Sequence, residues 1–362
     1  MTPPKVFCCL SLALLSIASA QVADDATRYV KAIAKINDDH ARQPGKIREE
    51  QLRAKLPADA RSALQRVIAA KDAPDLAPAL LQCGEAALDL DLLDDFAAIR
   101  TRLEAAAPAE ARKLGTAVSR PRFIVRGIGE LQPRYLDQFA DVLDTVLVGY
   151  DEVFAFAEFS KVPGKKLRVR VHLEPQITKP PHFGPEFPWH SEIDFPVVDP
   201  AVFRSPTERG QMLFYGLCHE LGHVIAMWGD LQNMEDHHAW AHYTGVVIVE
   251  HLRHLSERMK SNPPLPVIGD VRWRSLTLER ANAALQVPPS TKNYESTMAL
   301  LIALHDKAGP KAIGAAINQL DAAGKSRRIN RVRYYTFAEL RRALVATLTD
   351  PAQRAAADAL FK

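Results

Sequence analysis

Five residues, His219-Glu220-Leu221-Gly222-His223, constrain this chain more than any other feature. Residues four apart lie one above the other on a helix face, so the two imidazoles can grip one zinc ion only if the segment is helical. Glu220 then projects beside the metal, where it can take a proton from a metal-bound water. Zinc lowers the pKa of such a water toward about 7, which makes hydroxide available at neutral pH. The flanks agree with a helix. Ser205-Pro206-Thr207-Glu208 puts serine at the N-cap, proline at the first helical position and glutamate at the third, a capping box. From Met212 to about Trp228 the other positions are mainly apolar, as a buried helix requires.

The elements around this helix can be read from periodicity. Phe123-Ile124-Val125-Arg126 is strand-like, and Pro133 to Phe156 has the apolar spacing of a long amphipathic helix. That stripe is Leu136, Phe139, Ala140, Leu143, Val146, Leu147 and Tyr150. Leu167 to Leu173 alternates apolar and polar residues, the pattern of a half-buried strand. Pro175 to His190 reads as a loop. Glu192 to Val197 reads as another strand, and Pro196 suggests that it lies at a sheet edge. A second helix is expected over about Met234 to Lys260. Further helices follow over Glu295 to Ala308, Pro310 to Ala323 and Thr336 to Leu348.

In this order of elements, and in its His-Glu-Leu-Gly-His block, the stretch from Phe123 to Tyr243 resembles the gluzincin, or peptidase-MA-like, branch of the zincin metallopeptidases. The resemblance implies an α+β fold: a zincin-like catalytic domain over residues 119–362, with a small mixed sheet, the metal-binding helix and a helical C-terminal subdomain. It implies a zinc cofactor, a peptide or protein substrate, and catalysis by Glu220. Tyr294 to Gly309 resembles the later helix of that family, opened by a tyrosine and ended by a glycine. On that ground Tyr294 is the expected hydrogen-bond donor to the oxyanion, a role for which His190, Tyr334, Tyr335 and Arg331 are the other residues to weigh.

A catalytic zinc needs a third protein ligand and an open position. The pattern H-E-x-x-H-x-x-G-x-x-H is excluded, because Ala226 and Gly229 stand at its last two fixed positions. The gluzincin pattern E-G-x-A-x-Y, superposed on His238-Ala239-Trp240-Ala241-His242-Tyr243, puts histidine where glutamate is expected. Imidazole is a good zinc ligand, so His219, His223 and His238 form a chemically sound set. Glu235 and Asp236, on the same helix, stay open as alternatives. His242, four residues after His238, would share its face and support the ligands. His237 and Cys218 point about 100° away from His238 and His219 respectively, which leaves neither as a ligand.

The N-terminal third has another character. Val6 to Ala18 is an apolar run of signal-peptide length, and Ala18-Ser19-Ala20 has the small-x-small pattern of a cleavage site. Residues 1–20 are therefore expected to be removed near Ala20, giving an exported protein, periplasmic or extracellular, with no stable membrane span. Residues 21–118 read as an all-helical domain. Cys83 and Cys218 are too few and too far apart for a disulfide framework. A formal net charge of +3 demands no nucleic-acid partner. The basic stretch from Lys325 to Arg333 reads as a solvated loop leading into the last helix. Two other functions share these features: a zincin-fold binding protein without turnover, and a metal-dependent hydrolase acting on a bond other than a peptide.

Overall fold

A computed structural model describes residues 5–42, 54–71, 73–129, 133–156, 166–173, 182–184, 192–197, 208–226, 234–259, 294–322, 327–329, 332–334 and 337–360. The chain divides into two compact units, residues 1–133 with 162–166, and residues 134–161 with 167–362.

The first unit is helical with one hairpin. Its elements are α1 (Lys5–Arg42), α2 (Ala58–Ala69), α3 (Leu76–Asp89), α4 (Leu93–Ala106), α5 (Pro108–Leu114), β1 (Thr116–Ser119) and β2 (Phe123–Ile128). Along α1 the residues Val22, Ala26, Tyr29, Ile33 and Ile36 fall three or four apart and are all buried, the spacing that turns one helix face toward a core. They join Leu64 and Val67 of α2, Leu80 and Cys83 of α3, and Ile99 and Leu103 of α4 in one apolar cluster. α1 passes without a break through Ala20, and Ser19 is hydrogen-bonded to Asp75.

β1 and β2 pair antiparallel, and side chains tie them to the helices. Arg126 donates to the Leu114 carbonyl at 2.9 Å and to both carboxylate oxygens of Glu85 at 2.6 Å. The Gly129 N–H donates to the Arg112 carbonyl at 3.0 Å. The expected domain boundary at 118/119 falls within β1, whereas the compact units part at 133/134.

The second unit mixes helices with a small sheet and is α+β. It begins with α6 (Pro133–Phe154), whose stripe Leu136, Phe139, Ala140, Leu143, Val146, Leu147 and Tyr150 is wholly buried. β3 (Leu167–Leu173) runs parallel to β5 (Glu192–Val197), and β4 (His182–Gly184) pairs antiparallel with β5 on its other side. β5 is therefore an interior strand, which corrects the expectation of an edge. Pro196 fits there because, among the described residues, β4 covers Glu192 to Asp194 and stops short of the position whose N–H proline lacks.

The remaining helices are α7 (Glu208–Ala226), α8 (Met234–Met259), α9 (Tyr294–Ala308), α10 (Pro310–Ala322), α11 (Phe337–Thr347) and α12 (Pro351–Ala359). Gly309, at φ 82°, ends α9, its N–H bonded to the His305 carbonyl at 2.9 Å, and Pro310 opens α10. Glycine at that position adopts the left-handed conformation without a Cβ penalty. The basic stretch also differs from expectation. Arg327–Ile329 (β6) and Val332–Tyr334 (β7) pair antiparallel around residues 330 and 331, so this is a hairpin rather than a loop. Two strands joined by two residues are the shortest hairpin, and three-residue strands leave almost no periodicity to read.

No helix among the described residues is long and apolar enough to cross a membrane.

Candidate metal centre

The site is built on α7, and the packing of α7 against α8 determines what surrounds it. Gly222 lies opposite Ala241. A Cβ added at Gly222 would come within 2.8 Å of the Ala241 Cα and 3.0 Å of its carbonyl oxygen. One turn earlier on α7, His219 meets Gly245, where an added Cβ would lie 3.3 Å from the His219 Cα. As α7 advances from 219 to 222, α8 recedes from 245 to 241, so the two helices run antiparallel in close contact. Small residues at both crossings permit this, since larger ones would hold the backbones apart.

A buried polar network fixes the underside of α7. Tyr150 of α6 donates from its hydroxyl to the Cys218 carbonyl at 2.7 Å, and its oxygen lies 3.3 Å from the Thr244 hydroxyl. Thr244 in turn donates to the Trp240 carbonyl at 2.9 Å. Three helices thus meet through hydroxyls next to the residue that precedes His219. Burial pushes the Tyr150 hydroxyl and the Cys218 thiol far above their ordinary pKa values, so both stay protonated.

On the other face, His219, Glu220 and His223 are buried, at 8%, 6% and 8% exposure. One ligand atom from each lies within 4.8 Å of the others. The two imidazoles stand nearly perpendicular, at 87°, with their Nε2 atoms 3.1 Å apart. Two imidazole nitrogens converging in a buried place match the ligand types that zinc takes, and the Glu220 carboxylate lies close enough to act on a water bound there. Calcium and magnesium, which prefer all-oxygen sets, fit poorly. The residues therefore fit a zinc ion.

Further residues surround the cluster. The His242 ring lies 4.3 Å from the His219 ring, centroid to centroid, at 63°. Tyr215, one turn before His219 on α7, is hydrogen-bonded through its hydroxyl to His242 Nδ1. Helix spacing alone brings His242 near the ligands, but it assigns Tyr215 no role. The signal that could have found Tyr215 is the four-residue spacing that puts it on one face with His219 and His223. Tyr243 of α8 shares a 3.0 Å hydrogen bond with His305 Nδ1 of α9, which docks α9 on α8.

The expected third ligand, His238, and its alternatives Glu235 and Asp236 belong to the first turn and a half of α8. Tyr294 is the first residue of α9, and Tyr334 ends β7. The side chains of these five residues lie outside the described residues. So do Trp189, His190, Arg331, Tyr335 and the capping residues Ser205 to Thr207.

Comparison with protein-family models, with curated proteins and with solved structures finds no match for this chain.

Proposed function

We propose that this chain is an exported zinc-dependent hydrolase of the zincin type, acting as a peptidase. One observation carries the reading: His219, Glu220 and His223 present their ligand atoms within 4.8 Å of one another on one buried helix. A structural pair of histidines has no need of a carboxylate buried beside them, whereas a hydrolytic centre does. A bound zinc ion supplies a Lewis acid that polarises a carbonyl and makes water a better nucleophile.

The chain's own residues supply the rest. His219 and His223 hold the metal with neutral imidazole nitrogens. His238 is the third ligand in this reading, one helical turn before His242 on the face of α8 whose Ala241 and Gly245 meet α7. Glu220 accepts the proton from the attacking water and returns it to the leaving amine. Tyr294 donates a hydrogen bond to the oxygen that gains charge. An extended peptide adds most readily to the outer side of β4, the last strand of that sheet beyond β5 among the described residues. Export follows from the N-terminal pattern, with cleavage near Ala20. Among the described side chains, the apolar cluster of the first unit begins at Val22, after the expected cut.

Elemental analysis of the purified mature protein tests the site. About one zinc per chain is expected, as a single catalytic centre implies. His219→Ala should lose it, together with one of His238→Ala, Glu235→Ala and Asp236→Ala. Glu220→Gln should keep the metal and lose roughly 100- to 10,000-fold in peptide hydrolysis, the usual worth of a general base. Wild-type protein that stays metal-free after incubation with zinc overturns the reading. A loaded protein that cleaves no peptide, but hydrolyses another bond only while Glu220 is present, moves the substrate and leaves the mechanism standing.

A further inference from the structure

Two of the three rings packed around His219 belong to residues with no part in the proposed chemistry. Tyr215 and His242 come from different helices and meet at a hydrogen bond between the Tyr215 hydroxyl and His242 Nδ1. Their rings are close to parallel, at 24° with centroids 6.0 Å apart. The His242 ring then presses on that of His219 at 4.3 Å and 63°, and the Tyr215 ring itself lies 5.9 Å from it. A Cβ added at Gly245 would lie 3.3 Å from both the Cα and the N of His219, so the α8 backbone passes close to the His219 main chain. What remains adjustable is the rotation of its imidazole, and there the neighbouring rings act.

We propose that Tyr215 is a positioning residue: its hydroxyl fixes the rotation of His242, and His242 in turn fixes the ring plane of His219 for metal binding. The proposal rests on the metal site of His219, Glu220 and His223 and extends it to a residue outside the motif. A hydrogen bond at one ring nitrogen defines the orientation of the whole imidazole, because a flipped ring would offer a carbon to the tyrosine hydroxyl. Partners of this kind hold a ligand within the narrow limits that metal coordination tolerates. Tyr215 is only half-buried, and phenylalanine keeps its ring, so removing the hydroxyl should affect the metal far more than the fold.

A zinc titration against a competing chelator, on the full-length mature protein, decides the matter. The proteins are wild type, Tyr215→Phe, His242→Phe and the double variant, each also melted in the metal-free form. Tyr215→Phe is expected to weaken zinc binding about tenfold, within the range seen for outer partners of metal ligands. His242→Phe should weaken it at least as much. The double variant should bind no more weakly than His242→Phe alone, because Tyr215 acts only through His242. Metal-free Tyr215→Phe should melt close to wild type. Unchanged affinity in Tyr215→Phe, or losses that add in the double variant, overturns the positioning role while leaving the metal site intact. A melting loss in metal-free Tyr215→Phe that accounts for the whole change in affinity also overturns it. Wild-type protein without zinc affinity overturns the metal site and this inference together.

Discussion

The two units differ in what their buried polar groups bring together. In the first, Asp25, Tyr29 and Asn37 each meet a complementary group. Asp25 receives two hydrogen bonds from the Arg66 guanidinium, at 2.9 and 2.7 Å. Tyr29 donates to Asp95 at 2.8 Å, and Asn37 donates to the Asp89 carbonyl at 3.2 Å. In the second unit, α7 sets two imidazoles against each other with a carboxylate beside them, all three buried. Donor–acceptor pairing lowers the cost of burial and creates nothing to react with. Two imidazoles and a carboxylate brought together can instead hold a cation, and this is how a binding site differs from a core that merely contains polar residues. A difference of this kind can be broken experimentally, because the same substitution should have unequal effects in the two units.

The largest effect is expected at Gly222. In Gly222→Ala the new Cβ meets the Thr244 hydroxyl and the backbone of Ala241, and the backbone cannot turn aside as a side chain can. The gain from helix propensity, about 1 kcal/mol, opposes an overpacking cost of about 3 kcal/mol, for a net loss of about 2 kcal/mol. Forcing α7 from α8 also separates His219 from His242. Chemical denaturation should therefore show a lower midpoint for the second unit, together with weakened zinc retention. If Gly222→Ala keeps both, α7 and α8 do not touch backbone to backbone at this crossing.

A pH-dependent effect is expected next, in the first unit. The hydrogen bonds from Arg66 hold the Asp25 carboxyl below its ordinary value of 3.8. A depressed carboxylate stabilises the fold above that ordinary value, and the contribution is lost as pH falls through the lower folded value. Asp25→Asn should thus lower the melting temperature of the first unit at pH 7. Wild type and variant should approach each other in acid below pH 3.8. A constant difference across that range would assign the effect to packing rather than charge.

Tyr150→Phe should have a smaller effect. It removes one hydroxyl from the network under α7 and keeps the ring against Phe154 and Phe156. The lost hydrogen bond is worth about 1 kcal/mol in thermal unfolding. Zinc binding should change less than in Tyr215→Phe, because Tyr150 holds backbone whereas Tyr215 holds a ring.

Much of this architecture is legible in the sequence, for a physical reason. The stripe of α6 repeats over four turns, and α7, α8, α9 and α10 each carry enough apolar periodicity to be placed within a few residues. His219, Glu220 and His223 are legible because their geometry is local to one helix. The short strands β1, β4, β6 and β7 are not, since three or four residues show no clear alternation. Pro196 points to an edge for β5, wrongly, because nothing in the sequence tells how far β4 reaches along it. Tyr215 escapes a sequence reading because its meaning depends on the register between two helices. The approach of Gly222 to Ala241 sets that register, and no window on either helix contains it.

The smallest effect is expected at Gly84, the counterpart of Gly222 in the first unit. Gly84 also lies inside a helix, α3, and a Cβ there also meets an obstacle, at 2.7 and 2.8 Å. The obstructing atoms are the Leu114 methyl groups, however, the far end of a side chain that can rotate within its apolar surroundings. The propensity gain of about 1 kcal/mol then roughly cancels the repacking cost. Gly84→Ala should leave the unfolding midpoint of the first unit within about 0.5 kcal/mol of wild type, with zinc binding unchanged. Measured beside Gly222→Ala, it separates two reasons for a glycine in a helix. One is a convenience of packing that a leucine can yield to. The other is a backbone contact on which the position of His219 depends. Equal losses in the two variants would show that α7 and α8 tolerate repacking no worse than the helical unit does, and would remove the close helix crossing as the source of the site's order.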